Sequence, residues 1–293
     1  FAKVAVDGIR KEIEAAGYEL ALLEKYTEKA QLLDAVKDAN AIIIRSDIID
    51  AAVLDAAKEL KIVVRAGAGY DNVDLDAATA HGVCVMNTPG QNSNAVAELA
   101  FGMMVMAVRN MYNGTSGTEL KGKKLGIHAY GNVGRNVARI AKGFGMEIYA
   151  FDAFCPKEVI EKDGVTAVDS ADELYSTCNV VSLHIPATAD TKNSINYALV
   201  NKMPKNGVLV NTARKEVINE AELIQLMEER GDLKYMTDIM PAAHETFAGR
   251  YFSTPKKMGA QTAEANINAG IAAAQQIVGF LKDGCEKFRV NKK

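Results

Sequence analysis

No apolar run in this sequence approaches the roughly 18–20 residues that a membrane-crossing helix requires, so no membrane span is expected. Cysteine is scarce: Cys84, Cys155, Cys178 and Cys285 are the whole set, with no CxxC spacing among them. That pattern excludes a zinc ribbon and a disulfide framework, no metal site is expected, and scattered thiols fit a reducing cytoplasm. Six prolines and 23 glycines exclude collagen-like and low-complexity segments. A surplus of positive charge is lacking too. Lys and Arg number 34 against 37 Asp and Glu, a net −3, and no basic block is long enough to track a phosphate backbone, so nucleic acid is not an expected partner. The chain opens Phe1-Ala2-Lys3 without Met, and its first 16 residues read as an amphipathic helix, so a strand ahead of Phe1 is expected to be missing.

What is present is the balance of a globular chain with substantial cores: 48% apolar and 24% charged in 293 residues, enough for two domains. Short apolar runs alternate with longer helical patterns. The expected strands are 41–45, 62–65, 83–87, 124–128, 147–151, 180–184 and 208–211; the expected helices include 11–16, 51–59, 95–108, 132–144, 220–229 and 263–281. Strands that are each followed by a helix imply parallel sheets covered on both faces. The fold class is therefore α/β, with two doubly wound parallel-sheet domains, one continuous sheet being the competing reading. The expected division is a discontinuous smaller domain, 1–90 with 264–293, around a larger one, 91–263.

The strongest chemical motif is Gly126-Ile127-His128-Ala129-Tyr130-Gly131-Asn132-Val133-Gly134. A strand runs into a glycine turn and then a helix. Gly131 lets backbone approach a pyrophosphate, Gly134 lets helix pack on strand, and the helix start offers unpaired N–H groups to phosphate. The next strand ends at Asp152, 18 residues beyond Gly134, where a carboxylate suits an adenosine ribose 2′-hydroxyl and repels the extra phosphate of NADP. NAD is the expected cofactor, which makes 91–263 an NAD-binding Rossmann domain and leaves 1–90 with 264–293 as the substrate-binding domain. Ala129 replaces the first glycine, and a negative-φ turn that alanine tolerates is expected there.

The flanking residues carry a resemblance. Arg65-Ala66-Gly67-Ala68-Gly69-Tyr70-Asp71-Asn72-Val73-Asp74, Asn87-Thr88-Pro89 with Asn92-Ser93, Leu183-His184-Ile185-Pro186 with Thr191, Asn211-Thr212-Ala213-Arg214 and Gly259-Ala260-Gln261-Thr262 resemble the D-2-hydroxyacid dehydrogenases over essentially the whole chain. The match is to the branch acting on D-3-phosphoglycerate, in its short form without a regulatory domain. Control by serine through such a domain is therefore not expected.

The resemblance implies hinged α/β domains, an active site in their cleft and a homodimer built on the NAD-binding domains. The implied reaction is NAD-dependent oxidation of D-3-phosphoglycerate to 3-phosphohydroxypyruvate, the first step of phosphorylated serine biosynthesis. Arg214 is implied as the catalytic anchor of the substrate carboxylate and carbonyl, with Gly67, Ala68 and Asn92 also on the substrate. Tyr130, Gly131, Asn132, Val133, Gly134, Asp152, Ile185, Pro186, Thr191, Thr212, Ala213 and Asp238 are implied along the cofactor, Asp238 near the nicotinamide amide. Arg45 and Arg65, at equivalent ends of adjacent strands, match the phosphoglycerate-specific pattern and fit a phosphate.

The chain departs from the family at the base. A His in Thr-Pro-His and its orienting Glu are both missing; Thr254-Pro255-Lys256-Lys257-Met258-Gly259 stands instead, and Ala243 occupies the Glu position. Lysine is competent once neutral. Counting back from Gly259 selects Lys257, and counting forward from Pro255 selects Lys256; Lys257 is favoured because the downstream match is longer. His244, beside Glu245, is the competing base. The connection 109–124 is shorter than the relatives' arm, so no reach across a dimer is expected from it, and Lys215 stands where most relatives have Gly. The alternatives are another D-2-hydroxyacid dehydrogenase, of glyoxylate, hydroxypyruvate or D-lactate type, or a non-catalytic NAD-sensing scaffold.

Overall fold

The computed structural model describes residues 3–239 and 247–292. The chain divides into two compact units, residues 1–92 with 261–293 and residues 93–260.

The smaller unit is a parallel three-stranded sheet, β1 (Ala41–Ile44), β2 (Ile62–Arg65) and β3 (Cys84–Asn87), in that spatial order. β-Branched residues fill its centre, and their alternation separates two cores. Val63 and Val85 face one side with Leu32, Val53 and Leu54, whereas Ile62, Val64, Cys84 and Met86 face the other. The first side is covered by α2 (Lys29–Ala35), α3 (Ala51–Ala56) and α4 (Leu75–Ala80). The second is covered by α1 (Lys3–Ala15) and the returning α11 (Ala263–Asp283), through Ile9, Ile13, Ala273, Ala274 and Ile277. α1 and α11 pack closely: a Cβ on Gly8 would lie 2.9 Å from Ile271. Thr262 caps the start of α11 by accepting from the Ala265 N–H, and Gly284, with φ of 64°, ends it in the left-handed conformation.

The larger unit is a seven-stranded parallel sheet. Its strands are β4 (Lys124–His128), β5 (Glu147–Phe151), β6 (Thr166–Ala167), β7 (Val180–Leu183), β8 (Val208–Asn211), β9 (Lys234–Thr237) and β10 (Tyr251–Ser253), in the order β10-β9-β8-β7-β4-β5-β6. After β6 the chain crosses to the other side of β4, which makes the β4/β7 boundary the switch point where open α/β sheets bind ligands. Helices α5 (Ser93–Val108) and α6 (Asn132–Gly143) cover one face; α8 (Ala171–Thr177), α9 (Tyr197–Val200) and α10 (Glu220–Glu229) pack on the other, and α7 (Lys157–Lys162) precedes β6. The described residues form two sheets, not one.

The seven strands read from sequence are found within a residue or so of their expected limits. β6, β9 and β10 are additional, and α1 (Lys3–Ala15) is the amphipathic helix read across the first 16 residues, longer than the 11–16 core of that pattern. Among the described residues no helix is long and apolar enough to cross a membrane, and no group of His, Cys, Asp and Glu could hold a metal.

Candidate active site

The nucleotide turn lies at the switch point. β4 ends at His128, the turn follows, and α6 starts at Asn132 with Gly131 as an N-cap that offers no side-chain hydrogen bond. The first N–H groups of α6 are thus left to a ligand, at the positive end of a 12-residue helix. Gly131 is exposed, with nothing within 4 Å of where a Cβ would stand, so backbone there is open to close approach. Gly134 shows the opposite need: its Cβ would stand 2.4 Å from the Ala129 carbonyl and 3.0 Å from Ile127. These two glycines and the uncapped helix fit a dinucleotide pyrophosphate.

The expectation for Ala129 is corrected. Its φ is +80°, so it keeps the left-handed conformation of the glycine it replaces. Geometry of the turn is imposed by what surrounds it, because Gly134 fits directly under the Ala129 carbonyl.

Asp152, just past β5, is half-buried and accepts three backbone hydrogen bonds. Tyr130 N–H donates at 2.7 Å, Phe154 at 2.8 Å and Cys155 at 2.9 Å. The carboxylate therefore pins the glycine turn to the end of β5, and Oδ2, with a single donor, keeps a site open to a ribose hydroxyl. The Tyr130 ring is buried; its hydroxyl donates to Asp163 at 3.1 Å, and Arg135 lies over the ring and pairs with the same Asp163 at 3.0 Å. Its side chain is part of the core beneath the turn. Asn132 is exposed and Val133 half-buried at the start of α6. Ile185 is buried and Pro186 exposed just beyond β7, and the Thr191 hydroxyl donates back to the Pro186 carbonyl at 2.5 Å, closing that loop.

His128 and His184, at the ends of β4 and β7, are joined by a backbone hydrogen bond, the His184 N–H donating to the His128 carbonyl. Burial pushes His128 down to about 4. Burial, followed by the neighbouring His128, pushes His184 down to about 3. Neither is poised as a base near neutral pH.

The basic chemistry gathers beyond β8 and β9. Asn211, fully buried at the end of β8, accepts from the Ala213 N–H at 2.9 Å and donates to the Arg214 carbonyl at 3.1 Å, fixing the turn that carries Thr212, Ala213 and Arg214. Arg214 is half-buried and donates to the Ala213 carbonyl at 3.0 Å. Onto this turn comes Lys257. Its ammonium donates to the carbonyls of Ala213 at 2.9 Å and Thr212 at 3.3 Å, and pairs with Asp238 at 3.2 Å. Desolvation lowers its pKa below the ordinary lysine value, although 47% of the side chain is exposed; Asp238 opposes the shift and Arg214 adds to it. Lys256 is exposed, and its backbone carbonyl accepts from Thr254. His244 lies outside the described residues.

Asp238 is fully buried. One oxygen faces Lys257, and the other accepts from the N–H groups of Met258, at 3.2 Å, and Gly259, at 2.8 Å. Sequence reasoning set Asp238 beside the nicotinamide and missed its contact with Lys257. A usable signal existed: a lysine standing where a histidine is expected calls for a counter-charge.

In the smaller unit, parallel register sets Arg65 beside Asn87, and Arg45 follows directly on Ile44, the partner of Arg65. Both arginines therefore stand at the same C-terminal sheet edge. Arg45 donates to Gln261 at 3.4 Å. The Arg65 guanidinium folds across Gly67, whose φ is +148° and whose Cβ would stand 1.5 Å from it. The Gly67 and Ala68 carbonyls are held by the Thr88 N–H at 2.9 Å and the Asn87 side chain at 2.7 Å. Asn92 is half-buried just ahead of α5.

Residues 94–256 match the family described as D-isomer specific 2-hydroxyacid dehydrogenase, NAD binding domain. The chain is 36% identical over 282 residues to a D-3-phosphoglycerate dehydrogenase of Methanocaldococcus jannaschii, covering 90% of this chain and 54% of that one. It is 32% identical to a hydroxypyruvate reductase of Thermotoga maritima, over 88% of this chain and 90% of that one. A solved structure of 3-phosphoglycerate dehydrogenase from Entamoeba histolytica with NAD+ bound superposes with a TM-score of 0.89 at 48% identity, covering 100% of this chain and 95% of that one. The chain thus spans about half the length of several curated relatives, among them the M. jannaschii protein.

Proposed function

The chain belongs to the D-2-hydroxyacid dehydrogenase family and contains its NAD-binding domain, and on that premise we propose that it oxidises D-3-phosphoglycerate to 3-phosphohydroxypyruvate. The observation that carries the reading is the lysine ammonium seated on the turn that presents Arg214, at 2.9 Å from the Ala213 carbonyl.

Bound NAD supplies the hydride acceptor. Lys257, once neutral, takes the proton of the C2 hydroxyl, and as an ammonium it returns that proton to the carbonyl in the reducing direction. Desolvation and Arg214 favour the neutral form, while Asp238 keeps the amine directed. Arg214 binds the carboxylate through its planar guanidinium and polarises the carbonyl. Gly67, Ala68 and Asn92 provide further polar contacts to the substrate, and Arg45 and Arg65 hold the phosphate. Asp152 sets the shape of the nucleotide turn. Thr212, Ala213, Ile185, Pro186 and Thr191 line the cofactor's path.

Two further features complete the reading. α5 leaves Leu99, Val105 and Met106 only half-buried and Gly102 exposed, a surface that suits pairing of the larger unit with a second copy. Four scattered cysteines without CxxC spacing suit the cytoplasm. A second substrate reading, reduction of hydroxypyruvate, is favoured by the near-complete mutual coverage with the T. maritima enzyme.

The test is NADH formation from D-3-phosphoglycerate, beside D-glycerate and D-lactate. Turnover confined to the phosphorylated acid and lost in Lys257→Ala, with NAD binding intact, is the expected result. Equal turnover of D-glycerate removes the phosphate assignment. Undiminished turnover in Lys257→Ala removes the lysine base. NAD binding without turnover of any acid leaves the sensing scaffold.

A further inference from the structure

Arg214 and Lys257 share an acceptor. The Ala213 carbonyl receives the Arg214 guanidinium at 3.0 Å and the Lys257 ammonium at 2.9 Å, so the two cationic heads stand within two hydrogen-bond lengths of each other. Lys257 is also reachable, with 47% of its side chain exposed. A guanidinium and a primary amine at that spacing match two adjoining groups of one small molecule. An α-keto acid carries a carboxylate, which a guanidinium grips, and beside it an electrophilic carbonyl carbon, which an amine attacks. An imidazole in this place could move a proton but, having no NH2 group, could not condense with a carbonyl to an imine.

We propose that Lys257 captures α-keto acids as an imine, and that the chain's own keto product thereby closes the site that made it. The capture rests on Arg214 as the anchor of a carboxylate. The neutral amine adds to C2 of the anchored acid: the C–N bond forms, the carbonyl π pair passes to oxygen, and oxygen takes the proton that nitrogen gives up. The carbinolamine, taking up one proton, loses its oxygen as water and leaves a protonated C=N bond. Overall an ammonium and a carbonyl give an iminium and water, with no oxidant, reductant or net proton consumed.

The surroundings suit that exchange. Asp238 is fully buried and faces the ammonium at 3.2 Å. The protonated imine is again a cation with an N–H, so Asp238 keeps a positive partner and is not left as a lone buried carboxylate. Desolvation, the largest influence, and Arg214 lower the pKa of the amine and so enlarge the neutral share that attacks.

Reductive trapping reads the link directly. The full chain is incubated without NAD in pyruvate and sodium cyanoborohydride, which delivers hydride to the imine carbon and leaves a stable secondary amine; each lysine is then followed by peptide mass spectrometry. Lys256, the exposed neighbour, is the internal control. Pyruvate and 3-phosphohydroxypyruvate are expected to label Lys257 at least about tenfold faster than Lys256, because the anchored carboxylate concentrates the carbonyl at one amine. Acetone, a carbonyl without a carboxylate, is expected to show no such preference. Arg214→Gln is expected to slow labelling of Lys257 by pyruvate about tenfold, while labelling by acetone moves far less. Lys257→Arg, which keeps the charge, is expected to leave no lysine labelled above Lys256. Equal labelling of the two lysines, an equal response to acetone and pyruvate, or indifference to Arg214→Gln overturns the capture. The closing of the site is read separately: after trapping, NADH formation from D-3-phosphoglycerate is expected to fall in proportion to labelled Lys257, with NAD binding retained. Turnover that survives full labelling overturns both that closing and the lysine base. A chain inactive from the start removes the proposed activity and the closing with it, and trapping still decides the capture.

Discussion

Lys257 shows how few contacts set a residue's chemistry. Its head has two backbone carbonyls and one carboxylate as acceptors, all in the larger unit. Desolvation is the largest influence on its pKa and lowers it, so the rate of oxidation should rise with pH through a group titrating below the ordinary 10.5 of lysine. Asp238 acts the other way, stabilising the ammonium. Asp238→Asn is therefore expected to move the ascending limb of kcat/KM to lower pH while reducing kcat, because the amine also loses its direction. An unchanged limb in Asp238→Asn, measured from pH 6 to 10.5, would argue that another group titrates.

A different residue-scale effect concerns His128 and His184. Their folded values, about 4 and about 3, lie below the ordinary 6.5. Between pH 6.5 and about 4 the unfolded chain binds protons that the native chain refuses, so stability falls as pH falls through that window. The slope for each histidine approaches ~1.4 kcal/mol per pH unit. Above pH 6.5 the effect is absent. His128→Gln should flatten the acid limb of urea-denaturation midpoints; a limb as steep as the parent's would assign acid sensitivity elsewhere.

Elements were more legible than contacts. β7 and β8, buried along their whole length, are apolar apart from Ser182 and Asn211, and β4 and β5 hold three and four apolar or glycine residues in a row behind a charged first residue; such short runs inside a covered parallel sheet announce themselves. β9 and β10 did not. Lys-Tyr-Met-Thr and Tyr-Phe-Ser are short, mixed in polarity and set toward the sheet's edge, and their strand identity comes from the neighbour they pair with, not from local pattern. The glycine turn was legible in order but not in conformation. Periodicity gives no φ, and Ala129 at +80° is a tertiary decision. Ala129→Gly is thus expected to be neutral or stabilising by up to about 1 kcal/mol, since relief of the left-handed alanine opposes the greater freedom of glycine when unfolded. Gly134→Ala should do the reverse. A methyl 2.4 Å from the Ala129 carbonyl forces α6 off β4, at about 1–3 kcal/mol, with NAD affinity lost as well. Thermal melts and NAD titration of both variants check the pair, and retention of parental affinity by Gly134→Ala would deny that close packing shapes the turn.

Over the whole molecule, chain order and structural order part company. The smaller unit is completed by residues that follow the entire larger unit, and its last tie is Asn291. That buried side chain donates to the Val83 carbonyl at 2.9 Å and to Thr79 at 3.0 Å, and accepts from the Val85 N–H at 2.9 Å, so the C-terminal segment is stitched to the entry of β3. Asn291→Ala leaves the Val83 and Val85 backbone groups buried and without these partners, which costs about 1–3 kcal/mol each. The nucleotide turn, by contrast, lies wholly within residues 93–260. Ligand linkage stabilises what the ligand binds, by about 2.7 kcal/mol at a hundred times Kd. Hydrogen exchange resolved by peptide should therefore separate the two units. NAD should slow exchange in β4, β5 and α6, and Asn291→Ala should speed it in β2 and β3 without touching β4 or β5. If Asn291→Ala loosens β4 as much as β3, the two units open as one cooperative body and the C-terminal stitch is not specific to the smaller sheet.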